Sequence, residues 1–142
     1  MEEYPKRVGN ITEMRVMAEL LKYGEVSIPF GNNARYDCIL DIDGKLIKIQ
    51  IKTARRFDDN RFMVPFANTK TNAHESVRKA YSPDDVDFIA TYYDDCLYLF
   101  PTGTHNNSFT VSFQYPSNGL KKRINIASDF LADKVLGQYC GV

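Results

Sequence analysis

RYDCILDIDGKLIKIQIKT, residues 35–53, is two runs of β-forming residues broken at Asp43-Gly44, the dipeptide that most strongly signals a tight hairpin. With a two-residue loop at that point, facing residues have numbers that sum to 87, so Asp37 falls across from Gln50. That position is not hydrogen-bonded, and its Cβ atoms approach to ~4.5–5.5 Å. The pleat then sorts the side chains. Arg35, Asp37, Asp41, Lys48, Gln50 and Lys52 take one face, and Tyr36, Cys38, Leu40, Ile42, Ile47, Ile49 and Ile51 take the other. One face is core. The other gathers a carboxylate, an amide and an ammonium. A three-residue bulged loop would shift the register by one and undo the pairing of Asp37 with Gln50. Taken alone, the polar face also reads as the solvated side of a sheet.

Outward from the hairpin, the chain has the size and composition of one folded unit. Its 142 residues are expected to form a single domain spanning 1–142. Hydrophobic residues make up 44% and charged residues 25%, which is ordinary for a globular protein. No apolar run approaches the ~18 residues of a membrane span, and MEEYPKRVGN lacks the apolar region of a signal peptide. Cys38, Cys96 and Cys140 are widely spaced and odd in number, which suggests neither a disulfide framework nor a zinc site. A cytoplasmic location is the simplest expectation. Net charge is zero, but it is unevenly spread. Lys45 to Arg61 holds six bases against two acids, and Asp84 to Asp95 holds five acids and no base. A basic patch of Arg35, Lys48, Arg55, Arg56 and Arg61 could follow a phosphate backbone; a solvated loop is the lesser alternative.

The remaining segments give a coarse order of elements. Asn10 to Tyr23 reads as a helix capped by Asn10 with Glu13 in a capping-box position. Its expected core stripe is Ile11, Met14, Met17, Ala18 and Leu21, and Gly24 ends it. Val26–Phe30 is a short strand closed by Gly31-Asn32-Asn33. Arg61–Phe66 is a strand, Glu75–Tyr81 a short helix, and Val86–Tyr93 with Cys96–Phe100 a second hairpin around Asp94-Asp95. Phe109–Tyr115 alternates like a further strand, and Ser128 caps a last helix over Asp129–Leu136. His74 and His105 have no metal-ligand partner at a useful spacing and read as loop residues. Lys121-Lys122-Arg123 is a second short basic run.

Asp37, then twelve residues, then Gln50-Ile51-Lys52 resembles the PD-(D/E)XK nuclease pattern, an Asp on one strand and an acid-x-Lys on the next. The branch it looks most like is the small homing endonucleases of cyanobacterial group I introns, with "PFG-N-RYD" leading in and "Q-(I/V)-K-T" leading out. Here those segments are residues 29–37 and 50–53, and the resemblance runs over roughly residues 8–100. Gln50 departs from the superfamily, where an acid is usual, although that branch resembles this chain in having Gln there. The resemblance implies an α/β fold with a restriction-endonuclease-like core, a mixed central β-sheet flanked by helices. The two hairpins and strand 61–66 would form that sheet. It also implies a glutamate of the first helix beside the metal. Glu19 is the best-placed candidate, Glu13 the alternative, and pairing of Glu19 with Arg15 the competing explanation.

Phosphodiester hydrolysis needs an activated water and stabilised charge on the phosphoryl oxygens. Mg²⁺ can supply both through hard oxygen ligands, with Mn²⁺ as the expected substitute. The expected donors are Asp37, the Gln50 amide oxygen and the backbone carbonyl of Ile51, with Glu19 acting through water. Lys52, with an ordinary pKa near ~10.4, is a poor base at neutral pH and suits electrostatic stabilisation. The expected function is metal-dependent cleavage of double-stranded DNA. Two alternatives stay open: a structure-selective nuclease such as a junction resolvase, or a catalytically inactive DNA-binding module. A dimer or tetramer is expected because two antiparallel strands must be cut. Strands 86–100 and the last helix are the expected surfaces of contact.

Overall fold

The structure, a computed structural model, describes residues 5–31, 33–71, 76–103, 108–119 and 124–140. His74, His105 and the Lys121–Arg123 run lie outside the described residues. The chain opens with helix α1 (Pro5–Leu20), followed by strands β1 (Glu25–Ser27), β2 (Cys38–Ile42), β3 (Lys45–Ile51), β4 (Arg55–Arg56) and β5 (Arg61–Pro65). Strands β6 (Ala67–Thr71), β7 (Ser76–Ala80), β8 (Phe88–Tyr93), β9 (Cys96–Pro101) and β10 (Ser108–Ser112) come next. A 3₁₀ turn over Ala127–Phe130 leads into α2 (Ala132–Leu136).

The β2–β3 hairpin forms in the expected register. Cys38 pairs with Ile49, Leu40 with Ile47 and Ile42 with Lys45. Both turn residues take positive φ, 52° at Asp43 and 89° at Gly44, which matches the right-handed twist of the flanking strands. Asp94 and Asp95 repeat this at the β8–β9 turn, with φ of 52° and 60°. β3 then runs parallel to β8, Gln50 beside Ile89 and Ile51 beside Ala90. The result is a five-stranded mixed sheet in the order β1-β2-β3-β8-β9. With α1 and α2 packed on it, this is a restriction-endonuclease-like α/β fold. Gly24 lies where this sheet meets the end of α1, and a Cβ there would sit 2.2 Å from the Asp41 carbonyl oxygen.

Each face of the sheet has its own core. Val16 and Leu20 of α1 and Ala132 and Leu136 of α2 pack against Cys38, Leu40, Ile47, Ile49, Ala90 and Leu99. The opposite face of β8–β9 carries Ile89, Tyr98 and Phe100, which meet Phe62, Val64, Phe66, Phe109 and Val111. Those last five residues come from a second layer, a three-stranded sheet in the order β10-β5-β4 and the chain just past β5. Strand 61–66 therefore belongs to the covering sheet and not to the central one. The Phe62 and Tyr93 rings stack across the layers with centroids 4.5 Å apart, and Phe66 and Phe109 stack within the covering layer at 5.2 Å.

Other expectations change as well. α1 starts at Pro5, so Asn10 lies inside it and does not cap it, and proline suits a first helical turn. Its buried residues are Thr12, Val16 and Leu20, whereas Ile11, Met14 and Leu21 are exposed. Of the expected stripe, Met17 packs against the core, and a buried threonine takes the place expected of Ile11. Thr12 Oγ1 donates to the Val8 carbonyl and accepts from Thr53 Oγ1, which ties the helix to the end of β3. Within the stretch expected as helix 75–81, Ser76–Ala80 is β7, a strand antiparallel to β6 in which Ser76 pairs with Thr71. The last helix is broken at Leu131, whose φ and ψ of −59° and 139° are extended, and Ser128 lies inside the preceding 3₁₀ turn. Finally, β8 and β9 spend both faces inside the chain. No helix among the described residues is long and apolar enough to cross a membrane.

Candidate active site

The hairpin ladder stops one pair short of Asp37. Instead of facing Gln50 in regular pairing, Asp37 donates its N–H to the Ile49 carbonyl at 2.8 Å. Its carboxylate Oδ2 accepts the N–H of Ile51 at 2.7 Å. The side chain thus continues the ladder in place of backbone, and its position is fixed by β3 itself. Gln50 lies between these two partners, half-buried and pointing to the side of Ile89. Lys52 follows on that same side, its N–H held by the Ala90 carbonyl at 2.9 Å.

The charges here are under strain from burial. Burial raises the Asp37 pKa, and the Ile51 N–H and the Lys52 charge oppose that rise. Burial lowers the Lys52 pKa, with Asp37 raising it and Arg35 lowering it further. A third group completes the set. The Glu13 pKa is raised by burial and then by the negative charge of Asp37. Glu13 and Asp37 share the lining of a cleft of about 350 Å³ with Met14, Met17, Ile28, Pro29, Gly31, Ala34 and Tyr36. Larger hollows of about 620 and 420 Å³ lie on the covering sheet and contain none of these residues.

Glu19 is placed elsewhere. Its carboxylate pairs with Lys22 at 2.8 Å, not with Arg15, and it borders a different groove with Tyr23, Asp95 and Asp133. The helix turn that faces Asp37 is one and a half turns earlier and carries Glu13. Sequence reasoning set Glu13 aside because it assigned that residue to a capping box, and the earlier start of α1 removes that role.

The five basic residues read as a patch are largely engaged by acids of their own chain. Arg35 pairs with Asp85 at 2.7 Å and Lys48 Nζ donates to the Asp84 carbonyl at 2.7 Å. Arg61 pairs with Asp58 at 2.6 Å and covers the Phe57 ring, and Arg56 pairs with Asp59. Arg55 is exposed on β4. Asp84, Asp85 and Asp87 of the acidic run therefore lie against the basic face, Asp87 accepting the Lys48 N–H at 2.8 Å. The sequence signal for this was charge complementarity between two distant segments.

The family described as PD-(D/E)XK endonuclease matches residues 4–133. The chain belongs to the PD-(D/E)XK endonuclease family. A solved bacterial homing endonuclease, I-Ssp6803I, superposes with a TM-score of 0.73 at 23% identity, covering 94% of this chain and 93% of that one. That likeness shows the fold. No curated protein sequence matches this chain. In this PD-(D/E)XK chain, Asp37 and Gln50-Ile51-Lys52 stand in the order that the family pattern describes, with Gln50 in the place of an acid.

No group of three or more His, Cys, Asp or Glu able to hold a metal occurs among the described residues. The donors available are the two carboxylates of Glu13 and Asp37, the neutral Gln50 amide and backbone carbonyls. Such an all-oxygen set fits a hard divalent cation. Both carboxylate pKa values are raised in its absence, Glu13's partly by the charge of Asp37, so a cation between them would relieve the cost of burying two negative charges.

Proposed function

We propose that this endonuclease-family chain is a metal-dependent deoxyribonuclease that hydrolyses phosphodiester bonds in double-stranded DNA. The observation that carries the reading is Asp37, fixed to β3 by the Ile51 N–H and flanked by Glu13 and Lys52, all three with pKa values shifted by burial. Shifted titratable groups gathered beside a cleft mark functional sites.

In this reading Asp37 and Glu13 hold Mg²⁺, or Mn²⁺ in its place, through their carboxylate oxygens. The Gln50 amide oxygen and the Ile51 carbonyl complete the protein's share. A bound Mg²⁺ supplies the charge that activates water and offsets negative charge on the phosphoryl oxygens. Lys52, half-buried at the strand end and coupled electrostatically to Asp37, would act in its ammonium form. There a fixed charge is worth far more than in water. Glu19 takes no part. Arg35 is taken up by Asp85, and Arg55 is the basic residue best exposed to meet a phosphate.

The structural neighbour is a homing endonuclease, and we carry that role to this chain as a proposal, acting in the cytoplasm as an even-numbered assembly of single-domain subunits. The inactive-module reading fares worse, since decay of a site gives no reason to keep two half-buried carboxylates beside a half-buried lysine. The test is supercoiled plasmid incubated with the protein and Mg²⁺, Ca²⁺ or a chelator. Relaxed or linear product with Mg²⁺ alone supports the proposal. Intact plasmid under every condition, with the protein folded, refutes it.

A further inference from the structure

Phe30 stands on the loop between β1 and β2 and is fully exposed, at 108%. On either side of it, Pro29 and Gly31 line the cleft that holds Glu13 and Asp37. Ile28 and Met14 line the same cleft and are 67% and 70% exposed. Ile11, one turn before Met14 on α1, is 48% exposed. One exposed apolar side chain needs no account, but several meeting at one cleft mark a contact surface.

What covers this surface is decided by what shares it. A second copy of the chain seated here would close the cleft over Glu13 and Asp37 and shut the phosphodiester out. The occupant that has to come to those carboxylates is the substrate itself. The chemistry of the lining agrees. Met14, Met17, Ile28, Pro29 and Ala34 offer a phosphate neither charge nor a side-chain donor, and they suit the apolar parts of DNA, its sugars and base faces. In a duplex each base face is covered by its neighbour, so a side chain reaches one only by entering a step between base pairs. Apolar side chains, phenylalanine among them, do this from the minor groove, unstacking the step and kinking the duplex.

We propose that Phe30 is a DNA-contact residue whose ring enters a base-pair step beside the phosphate held at Asp37 and Glu13, with Met14 and Ile28 against the adjoining sugars. This rests on the nuclease reading given above. A ring wedged there fixes the register of the duplex on the site. It also favours pyrimidine–purine steps such as TA, which unstack most easily.

The experiment uses the full chain with Ca²⁺ in place of Mg²⁺ and a short duplex in which the adenines of TA steps are 2-aminopurine, a base that brightens when unstacked. Wild type should raise the emission on binding. Phe30→Ser should bind the duplex roughly tenfold or more weakly and, at saturating protein, leave the emission at its free-duplex level. Phe30→Trp should restore both. The chain has no tryptophan of its own, so the single indole of that variant should be quenched by unlabelled duplex. Because Phe30 is exposed, both variants should melt with wild type, and light scattering should give both the wild-type mass. Four outcomes overturn the proposal: no rise with bound wild type, the same rise with bound Phe30→Ser, an unquenched indole in bound Phe30→Trp, or a lower mass for Phe30→Ser, which would make the patch a contact between copies. A wild type that opens the duplex yet leaves plasmid intact with Mg²⁺ sinks the nuclease reading and upholds the wedge. One that binds no duplex overturns both.

Discussion

The carboxylate of Asp37 accepts the backbone N–H of Ile51 at 2.7 Å, fourteen residues along the chain. The Asp37 backbone N–H still bonds the Ile49 carbonyl and its side chain takes the next bond from β3, so the catalytic candidate and the strand leading to Gln50 and Lys52 are fixed to one another. The consequences can be tested one residue at a time.

The first consequence concerns stability. Burial raises the Asp37 pKa, so the native state binds a proton at this site more readily than the unfolded chain, whose carboxylate titrates near ~3.9. Native stability from this group is full below that unfolded value and is lost as pH rises through the raised native value. Metal-free Asp37→Asn should therefore melt a few degrees above wild type at neutral pH, because the amide oxygen can still accept the Ile51 N–H. The gap should close as the pH is lowered toward 4. Thermal melts of both proteins with a chelator present, across pH, measure it, and a lower melting temperature for Asp37→Asn at pH 7 would contradict the account.

Lys52→Ala should lower the cleavage rate by about 10²- to 10³-fold, the range for loss of one preorganised electrostatic group. The Mg²⁺ concentration giving half-maximal rate should barely move, because ammonium is not a ligand. Single-turnover rates across a Mg²⁺ titration separate the two. A shifted metal requirement with the full rate restored at saturation would assign Lys52 to metal binding instead.

The two helix glutamates give opposite expectations. Glu13→Gln should cut cleavage by at least about 10²-fold and raise the Mg²⁺ concentration needed for half-maximal rate, since it removes one of two charged donors. Glu19→Gln removes only a solvent-screened surface pair with Lys22 and should cleave like wild type. If Glu19→Gln is the inactive one, the placement of α1 against Asp37 is in error.

Gln50→Glu should bind Mg²⁺ as tightly as wild type or more so, and Gln50→Leu should bind it less tightly and lose cleavage. Calorimetric titration with Mg²⁺ reads the first and plasmid cleavage the second. A fully active Gln50→Leu would leave the amide without a role.

The hairpin was legible because three local signals agree: Asp43-Gly44, the alternation of its strands and the sum of paired numbers. Its last pair was not legible, since nothing in the sequence says that the Asp37 side chain would take over from backbone. Periodicity misassigned α1 for a physical reason. Met14 and Ile11 outrank Thr12 in hydrophobicity, but Thr12 is buried because its hydroxyl finds Val8 and Thr53. Choosing Glu19 over Glu13 followed from the same misreading of where the helix begins. Tyr81 was invisible as a neighbour of Lys52. It lies in a segment expected to be helical, and only the chain's return through β7 brings its ring under Arg35 and Lys52.

Assembly offers a prediction independent of chemistry. One site of this kind cuts one strand, so cleavage of both strands at a defined position requires paired subunits. Light scattering at micromolar protein should give twice or four times the 16.3 kDa chain mass. A monomer that stays monomeric on DNA would restrict the chain to nicking.

The measurement closest to the central claim is single-turnover cleavage of supercoiled plasmid by wild type and Asp37→Asn, both shown folded and DNA-bound, at saturating Mg²⁺. The account predicts rapid cutting by wild type and at least about 10³-fold slower cutting by the variant, with DNA affinity retained. Equal rates from the two proteins would remove Asp37 from the chemistry and contradict the site described here.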